Sequence, residues 1–350
     1  MSERKMEYTN LGKSGLKISK VILGAMSFGS SDWQEWVINE NEALPLLKHA
    51  YDVGLNTWDT ADVYSNGRSE EIIGKAIKQY DMKRNRIVIL SKCYFGVSDG
   101  EGQPPISAVS TNDGDMVNRA GTLSRKHILD AVDSSVKRLG TYIDVLQIHR
   151  LDRDTPREEI MRALNDVVES GKVRYIGASS MAAWEFQTLQ NIAEKHGWHK
   201  FISMQNYYNL LYREEEREMI PYCRDVGVGL IPWSPIARGA LARPFDDRTT
   251  KREKSDRMLN AMIRGSETEI DKRIIGRVEE LSKKKGVSMA TIATAWVLSK
   301  ETVNPIIGLS SKERIDQAVA SVRFASSGGL TKEDIEFLEE GYAPKIRQGY

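Results

Sequence analysis

Several common classes are missing from this chain. Its 350 residues hold two cysteines, Cys93 and Cys223, in no metal-binding or redox spacing, a pattern that fits a reducing compartment. Lysine and arginine number 50 against 49 aspartates and glutamates, a formal net charge of +1. No long-range field draws such a chain to nucleic acid or an anionic membrane, so a small molecule is the expected partner. No run of about 18 apolar residues occurs, and the polar opening MSERKMEYTN lacks the apolar stretch of a secretory signal. A cytoplasmic protein is expected. No G-x-G-x-x-G follows the first strand-like segment, which disfavours a Rossmann domain. What remains, 40% hydrophobic and 28% charged, is enough to bury a sizeable core, in one large domain or two smaller ones.

Short β-branched runs alternate with amphipathic helical stretches along most of the sequence. Strands are expected near 21–24, 57–60, 87–92, 145–149, 173–178, 202–205, 229–232 and 305–307. Helical patterns fill the intervals at 42–53, 69–78, 125–139, 156–169, 183–196, 213–226, 270–284 with 289–299, and 312–321. Eight strand–helix repeats in about 330 residues predict an α/β fold, a (β/α)8 TIM barrel, over one domain spanning residues 1–350. Residues 6–18 alternate around Gly12-Lys-Ser-Gly15 and read as an N-terminal β-hairpin plugging the barrel floor, and 333–340 as an extra helix outside the repeat. Two loops are long. Residues 94–122 carry the turn Gln103-Pro-Pro105; 235–268 carry Arg238, Arg243, Arg248, Lys251, Arg252, Lys254 and Arg257, mostly a solvated charged loop, with one or two cations free to close over an anionic cofactor.

In such a barrel, chemistry collects where the strands end. Asp59 ends the second strand, Lys92 the third and His149 the fourth, while Tyr64 follows in the loop after Asp59. A phenol near pKa 10 is a poor proton donor at neutral pH unless that value is lowered. A lysine ammonium beside it favours the phenolate, and a carboxylate keeps the ammonium charged and aimed. Asp59, Lys92 and Tyr64 can form that chain, with His149 as a second donor at the same oxygen. The set suits polarising C=O and protonating a developing alkoxide. No residue supplies a hydride, so a cofactor must.

Leu23-Gly-Ala-Met-Ser-Phe-Gly29, then Asp59-Thr-Ala with Tyr64 and Glu70-Glu-Ile-Ile-Gly74, 171–180, Met204-Gln-Asn206, 232–239 and Pro305-Ile-Ile-Gly308 follow one another in an order that resembles the aldo-keto reductases over nearly the whole chain. Within that family the fungal aryl-alcohol dehydrogenase-like and hemiacetal reductase-like branch is the nearest resemblance. It implies the barrel, a catalytic tetrad at Asp59, Tyr64, Lys92 and His149, and the cofactor NADPH/NADP+. It also implies cofactor contacts at Gly24, Met26 and Asp59. Ser179 and Gln205 would hold the nicotinamide carboxamide and Trp233 would stack on its ring. Backbone groups from Ser234 through Gly239 to Leu241 would meet the pyrophosphate. Ser310, Lys312 and Arg314 would bind the adenosine 2′-phosphate, and Gln317 would face the adenine. Ser180 and Ala318 depart from the family pattern, where Asn is usual at both. Without the resemblance, Ser310, Lys312 and Arg314 read as a polar first helical turn capped by Ser310 or Ser311.

Phe28, Trp33, Trp36, Tyr94 and Phe95 fall at the expected mouth, either lining an apolar pocket or packing under their own loops. Trp58 and Cys93 should face the helices, by alternation with Asp59 and Lys92. His196 and His199 flank a helix end without an acidic or cysteine partner nearby, and no metal site is expected. The leading reading is NADPH-dependent reduction of an aldehyde, ketone or hemiacetal. A regulatory NADPH-binding subunit of the channel-partner kind is the alternative. A hydrolytic barrel with Asp59 as base lacks a metal constellation and a second placed carboxylate.

Overall fold

The computed structural model describes residues 6–98, 114 and 116–350; the residues MSERK and the expected turn at Gln103-Pro-Pro105 lie outside them. The chain opens with an antiparallel hairpin, β1 (Tyr8–Asn10) and β2 (Lys17–Ser19), in register Tyr8↔Ser19 and Asn10↔Lys17. Its turn is pressed against the barrel: Lys13 N donates to Gly227 O at 2.8 Å. Gly12 there has φ +57°, and a Cβ on it would fall 2.4 Å from Gly227 O, so both the turn and the approach require glycine. The hairpin buries Leu11 and Ile18 against Ile22, Val88, Leu90, Val145, Ile231 and Ile306. That apolar layer is the barrel floor, as the alternation at 6–18 implied.

Eight strands form one sheet: β3 (Ile22–Gly24), then, after the small parallel pair β4 (Phe28–Gly29) and β5 (Ile38–Asn39), β6 (Thr57–Asp59), β7 (Val88–Cys93), β8 (Ile143–Ile148), β9 (Val173–Ser179), β10 (Phe201–Gln205), β11 (Gly229–Leu230) and β12 (Ile306–Gly308). Neighbours in the sheet are parallel, and β12 pairs with β3. The parallel bridges Leu230↔Val303 and Trp233↔Ile306 join β11 to β12 and close the ring. The fold is therefore the expected (β/α)8 barrel.

The helices α1 (Glu40–Asp52), α2 (Arg68–Gln79), α3 (Arg125–Leu139), α4 (Arg157–Glu169), α5 (Ala183–His196) and α6 (Met219–Val226) each follow a strand. Residues 251–262 hold two short helices, α7 (Lys251–Ser255) and α8 (Arg257–Met262). They are followed by α9 (Glu269–Lys285), α10 (Met289–Leu298), α11 (Lys312–Ser326) and the extra α12 (Lys332–Glu339). The caps are written in the sequence: Ser124 accepts from His127 N, and Thr268 exchanges hydrogen bonds with Asp271 in a capping box. The expected helix at 213–226 is shorter. A single 3-10 turn at Glu214–Glu216 precedes α6, because Pro221 has no N–H to donate and belongs in a first turn.

Alternation along the strands decides what faces inward. On β7, Val88, Leu90 and Lys92 point into the barrel while Ile89 and Cys93 join the helix-side core. Trp58 likewise packs among helix-side residues, its Nε1 donating to Leu55 O. No helix among the described residues is long and apolar enough to cross a membrane.

Candidate active site

The upper ends of β6, β7, β8 and β10 place Asp59, Lys92, Gln147 and Gln205 in one buried layer. The Lys92 ammonium has three N–H donors, and the structure accounts for all three: Asp59 Oδ1 at 2.5 Å, Thr60 O at 2.8 Å and Tyr64 Oη at 3.2 Å. The other Asp59 oxygen accepts from Gln147 Nε2 at 3.0 Å and Gln205 Nε2 at 2.9 Å. Every polar atom of this buried pair is thus matched, the condition under which a buried ion pair is tolerated. Burial alone would depress the Lys92 pKa, but Asp59 and the Tyr64 phenol together raise it, so the residue stays charged.

Tyr64 comes next, at the start of a turn whose following residues, Ser65 and Asn66, have φ of 48° and 53°. Its pKa corrects the expectation of a net lowering. Burial raises it, Lys92 pulls it back, and burial wins. The phenol is therefore held as the O–H form, ready to donate. His149, one residue past β8, sits edge-on to Tyr64 with ring centroids 5.8 Å apart, and edge-on to Phe95 at 4.9 Å. Burial first, then Lys92 and Arg150, push its pKa well below the ordinary histidine value, so the ring is neutral. Its Nδ1 is buried without a partner; Nε2 is the nitrogen left facing the cavity. All four expected catalytic residues therefore come together, Asp59, Tyr64 and His149 at one wall and Lys92 buried behind it.

That wall bounds a cavity of about 740 Å³, also lined by Gly24, Met26, Trp33, Trp36, Arg150, Ser179, Trp233 and Ser234. Trp33, Trp36 and Phe95 line it as one reading allowed, whereas Phe28 is fully buried in the helix-side core and Tyr94 packs edge-on to Phe95. Trp233 ends a stack of three rings, Tyr207 at 4.5 Å and Tyr212 a further 4.7 Å behind. Its Nε1 donates to Ser180 Oγ at 3.3 Å, so the serine at that departing position orients the indole. Behind the stack, Glu215 accepts from Asn206 Nδ2 and from Tyr350 Oη. Gln205 was expected to hold a carboxamide, yet its Nε2 is already committed to Asp59 and Gln147. Ser179 Oγ donates to Gln205 O at 2.8 Å.

A second cavity of about 420 Å³ shares Ser27, Trp36, Arg238, Arg252, Ile307 and Gly308 with the first. Among the described residues five cations line it, Arg238, Arg243, Lys251, Arg252 and Arg314, and no carboxylate does. Of the residues expected to contact a cofactor, Gly239, Ser310 and Gln317 line it; Lys312 is exposed and lines neither cavity. Ser311 is the helix cap, leaving Ser310 Oγ to accept from Arg314 Nη1 at 2.7 Å. Leu241 has its side chain in the core, and the amides of Gly239 and Leu241 both donate to Ile236 O. Backbone strain gathers around Trp233 and the joint between the two cavities: Ser180, Ser234, Ala237 and Arg238 all have φ between 31° and 54°.

The charged loop at 235–268 is not the solvated one expected. Asp256 takes both Arg238, through contacts of 2.8 to 3.0 Å, and Arg252 at 2.9 Å. Glu253 and Glu267 gather Arg243, Arg248 and Arg264. Arg252 also lies 4.2 Å over the Trp36 ring. Burial, with Arg238 and Arg314 nearby, brings its pKa down to about 10, the mark of a place short of negative charge. Gln147 belongs to no motif singled out from the sequence, although two-residue alternation from His149 places it inward. Against the expectation of no acidic neighbour, His199 pairs with Glu169 at 2.8 Å, brought close from 30 residues away, while His196 stacks on Trp198.

A cation-lined cavity joined to one holding an ammonium-backed phenol fits a phosphate-bearing redox cofactor beside a carbonyl. The model of the Aldo/keto reductase family matches residues 20–341. Versiconal hemiacetal acetate reductase of Aspergillus parasiticus is 67% identical over 341 residues, spanning 97% of this chain and 98% of that protein. A Schizosaccharomyces pombe protein assigned as an aryl-alcohol dehydrogenase is 56% identical over 350 residues, 98% of this chain and 97% of its own. An aldo-keto reductase of Metarhizium robertsii is 50% identical over 361 residues, all of this chain and 95% of its own. By these matches along almost its entire length, the chain belongs to the aldo/keto reductase family.

Proposed function

We propose that the protein is an NADPH-dependent reductase that turns an aldehyde, ketone or hemiacetal-derived carbonyl into the alcohol. The observation that carries this reading is the Lys92 ammonium, whose three donors are spent on Asp59, Thr60 and Tyr64. A bound nicotinamide supplies the hydride from its C4. The chain's residues do the rest. Tyr64 Oη and His149 Nε2 hydrogen-bond the carbonyl oxygen and orient its carbon. As negative charge grows on that oxygen, Tyr64 gives up its proton, and Lys92 stabilises the phenolate left behind. Asp59 keeps Lys92 charged and aimed. A neutral His149 can donate one hydrogen bond without competing for the proton. Trp33, Trp36 and Phe95 keep the reacting carbon dry.

Arg314 with Ser310 is the natural seat for a 2′-phosphate, since a guanidinium fork matches a phosphate dianion. Two relatives carry the names hemiacetal acetate reductase and aryl-alcohol dehydrogenase, and the aromatic walls of the larger cavity suit aryl aldehydes. The test follows NADPH absorbance with a panel of aromatic and aliphatic aldehydes, NADH run in parallel. Oxidation of NADPH at least about tenfold more efficient than of NADH is expected, and Arg314→Ala should weaken NADPH far more than NADH. Tight NADPH binding without oxidation across the panel would overturn the reading in favour of a regulatory role. Equal losses for both cofactors in the variant would remove Arg314 from the phosphate site.

A further inference from the structure

Buried cations in this molecule come with a carboxylate. Lys92 has Asp59, Arg238 has Asp256, Arg84 has Asp144 at 2.7 Å and Arg138 has Glu70 at 2.7 Å. Arg150 departs from that rule. It follows His149 directly and lines the larger cavity with Tyr64, His149 and Ser179. Its Nη1 donates to the carbonyl of His149 and, at 3.5 Å, to Ser179 Oγ. Among the described residues no carboxylate pairs with it. Two acids of the adjoining segments are engaged elsewhere: Asp152 accepts from Leu123 N, Thr122 and Thr155, and Glu185 takes Arg153.

A guanidinium presents five N–H donors, and among the described residues those on Nε and Nη2 meet no protein acceptor. They are not sealed in the core either, and Arg150 lines the cavity. Phosphate recognition does not require them, because the five other cations line the neighbouring cavity. A half-buried guanidinium with donors to spare and no carboxylate beside it leaves a place that an incoming anion can fill. Burial lowers the Arg150 pKa, as expected of a desolvated cation whose surroundings are the phenols of Tyr64 and Tyr94.

We propose that Arg150 is a specificity-determining residue that receives an anionic oxygen, a carboxylate or an ionised phenol, carried by the carbonyl substrate itself. This rests on the reading of the larger cavity as the carbonyl site. Bidentate pairing with Arg150 would fix the rotation of the substrate while Tyr64 and His149 hold the reacting oxygen. Neutral aldehydes of the same shape would enter but lack that second anchor.

The test has a binding arm and a turnover arm, both on the NADPH- or NADP+-loaded protein. Titration calorimetry of benzoate and of benzamide is expected to show benzoate binding at least about tenfold more tightly. Arg150→Met should remove that preference and Arg150→Lys should keep part of it. In turnover, the ratio of kcat/KM for 4-carboxybenzaldehyde to that for 4-carbamoylbenzaldehyde should fall at least about tenfold in Arg150→Met. Equal affinity of the wild-type protein for benzoate and benzamide would overturn the proposal, as would a preference that survives in Arg150→Met. Arg150→Gln serves if the Met variant does not fold. Benzoate preference with no oxidation of any aldehyde would leave the anion site standing and remove the reductase reading.

Discussion

The floor and the mouth of this barrel are made by the same strands, two residues apart, and hold opposite chemistry. On β7 the inward series runs Val88, Leu90, Lys92; on β8 it runs Val145, Gln147 and, just past the strand, His149. The lower members pack with the hairpin residues Leu11 and Ile18 into a dry apolar plug. The upper members form a network in which one ammonium, one carboxylate and two amides satisfy one another. The difference teaches that stability and reactivity are assigned to different heights of one barrel. The floor gains from dispersion and area, the mouth from exact polar bookkeeping around a charge.

The sharpest way to separate the two is Tyr64→Phe. It removes one oxygen at the mouth and should lower kcat by about 10² to 10⁴-fold, with NADPH affinity and thermal midpoint little changed. Wild-type-like turnover, measured by NADPH absorbance, would sink the acid role. The floor is probed by Leu90→Ala, which should cost about 2–5 kcal/mol of stability through the cavity it leaves. Its kcat per folded molecule should stay within about twofold, because Lys92 keeps its partners. Denaturant titration with kinetics on the same samples checks both, and a large fall in kcat would show that the layers are coupled. A smaller effect lies behind the mouth, at Glu215. Burial pushes its carboxyl up to about 7 from 4.5, against the pull of Tyr350 and Arg347. A raised acid pKa means the folded state holds its proton more tightly, so this contribution is full below about 4.5 and is lost as pH rises through about 7. Glu215→Gln should flatten that part of the stability-against-pH curve, by up to about 3 kcal/mol. Parallel slopes for variant and wild type between pH 5 and 8 would refute it.

The fold was legible because each repeat carries a local pattern: short apolar strands, amphipathic helices, and stop signals such as Gly140 and Gly286 at helix ends. The tetrad was legible because three of its members end strands, and two-residue alternation then aims them inward. What the sequence hid depends on partners distant along the chain. Whether Arg238 is solvated or paired turns on Asp256, eighteen residues away, and no periodicity expresses that. The commitment of Gln205 to Asp59 spans 146 residues. Phe28 and Trp33 look alike as aromatics near a mouth, and only packing sends one to the core and the other to the cavity. The direction of the Tyr64 pKa needed the depth of its burial as well as the nearness of Lys92.

The stack of Trp233, Tyr207 and Tyr212 gives the protein a built-in optical gauge. Light absorbed by the two tyrosines passes to the indole at the end of the stack, whose remaining face looks into the cavity. A ligand arriving against that face would dim the emission of Trp233 before any bond is made or broken. Comparison with Trp233→Phe would isolate that signal from the other six tryptophans, so occupancy could be followed in real time and apart from chemistry.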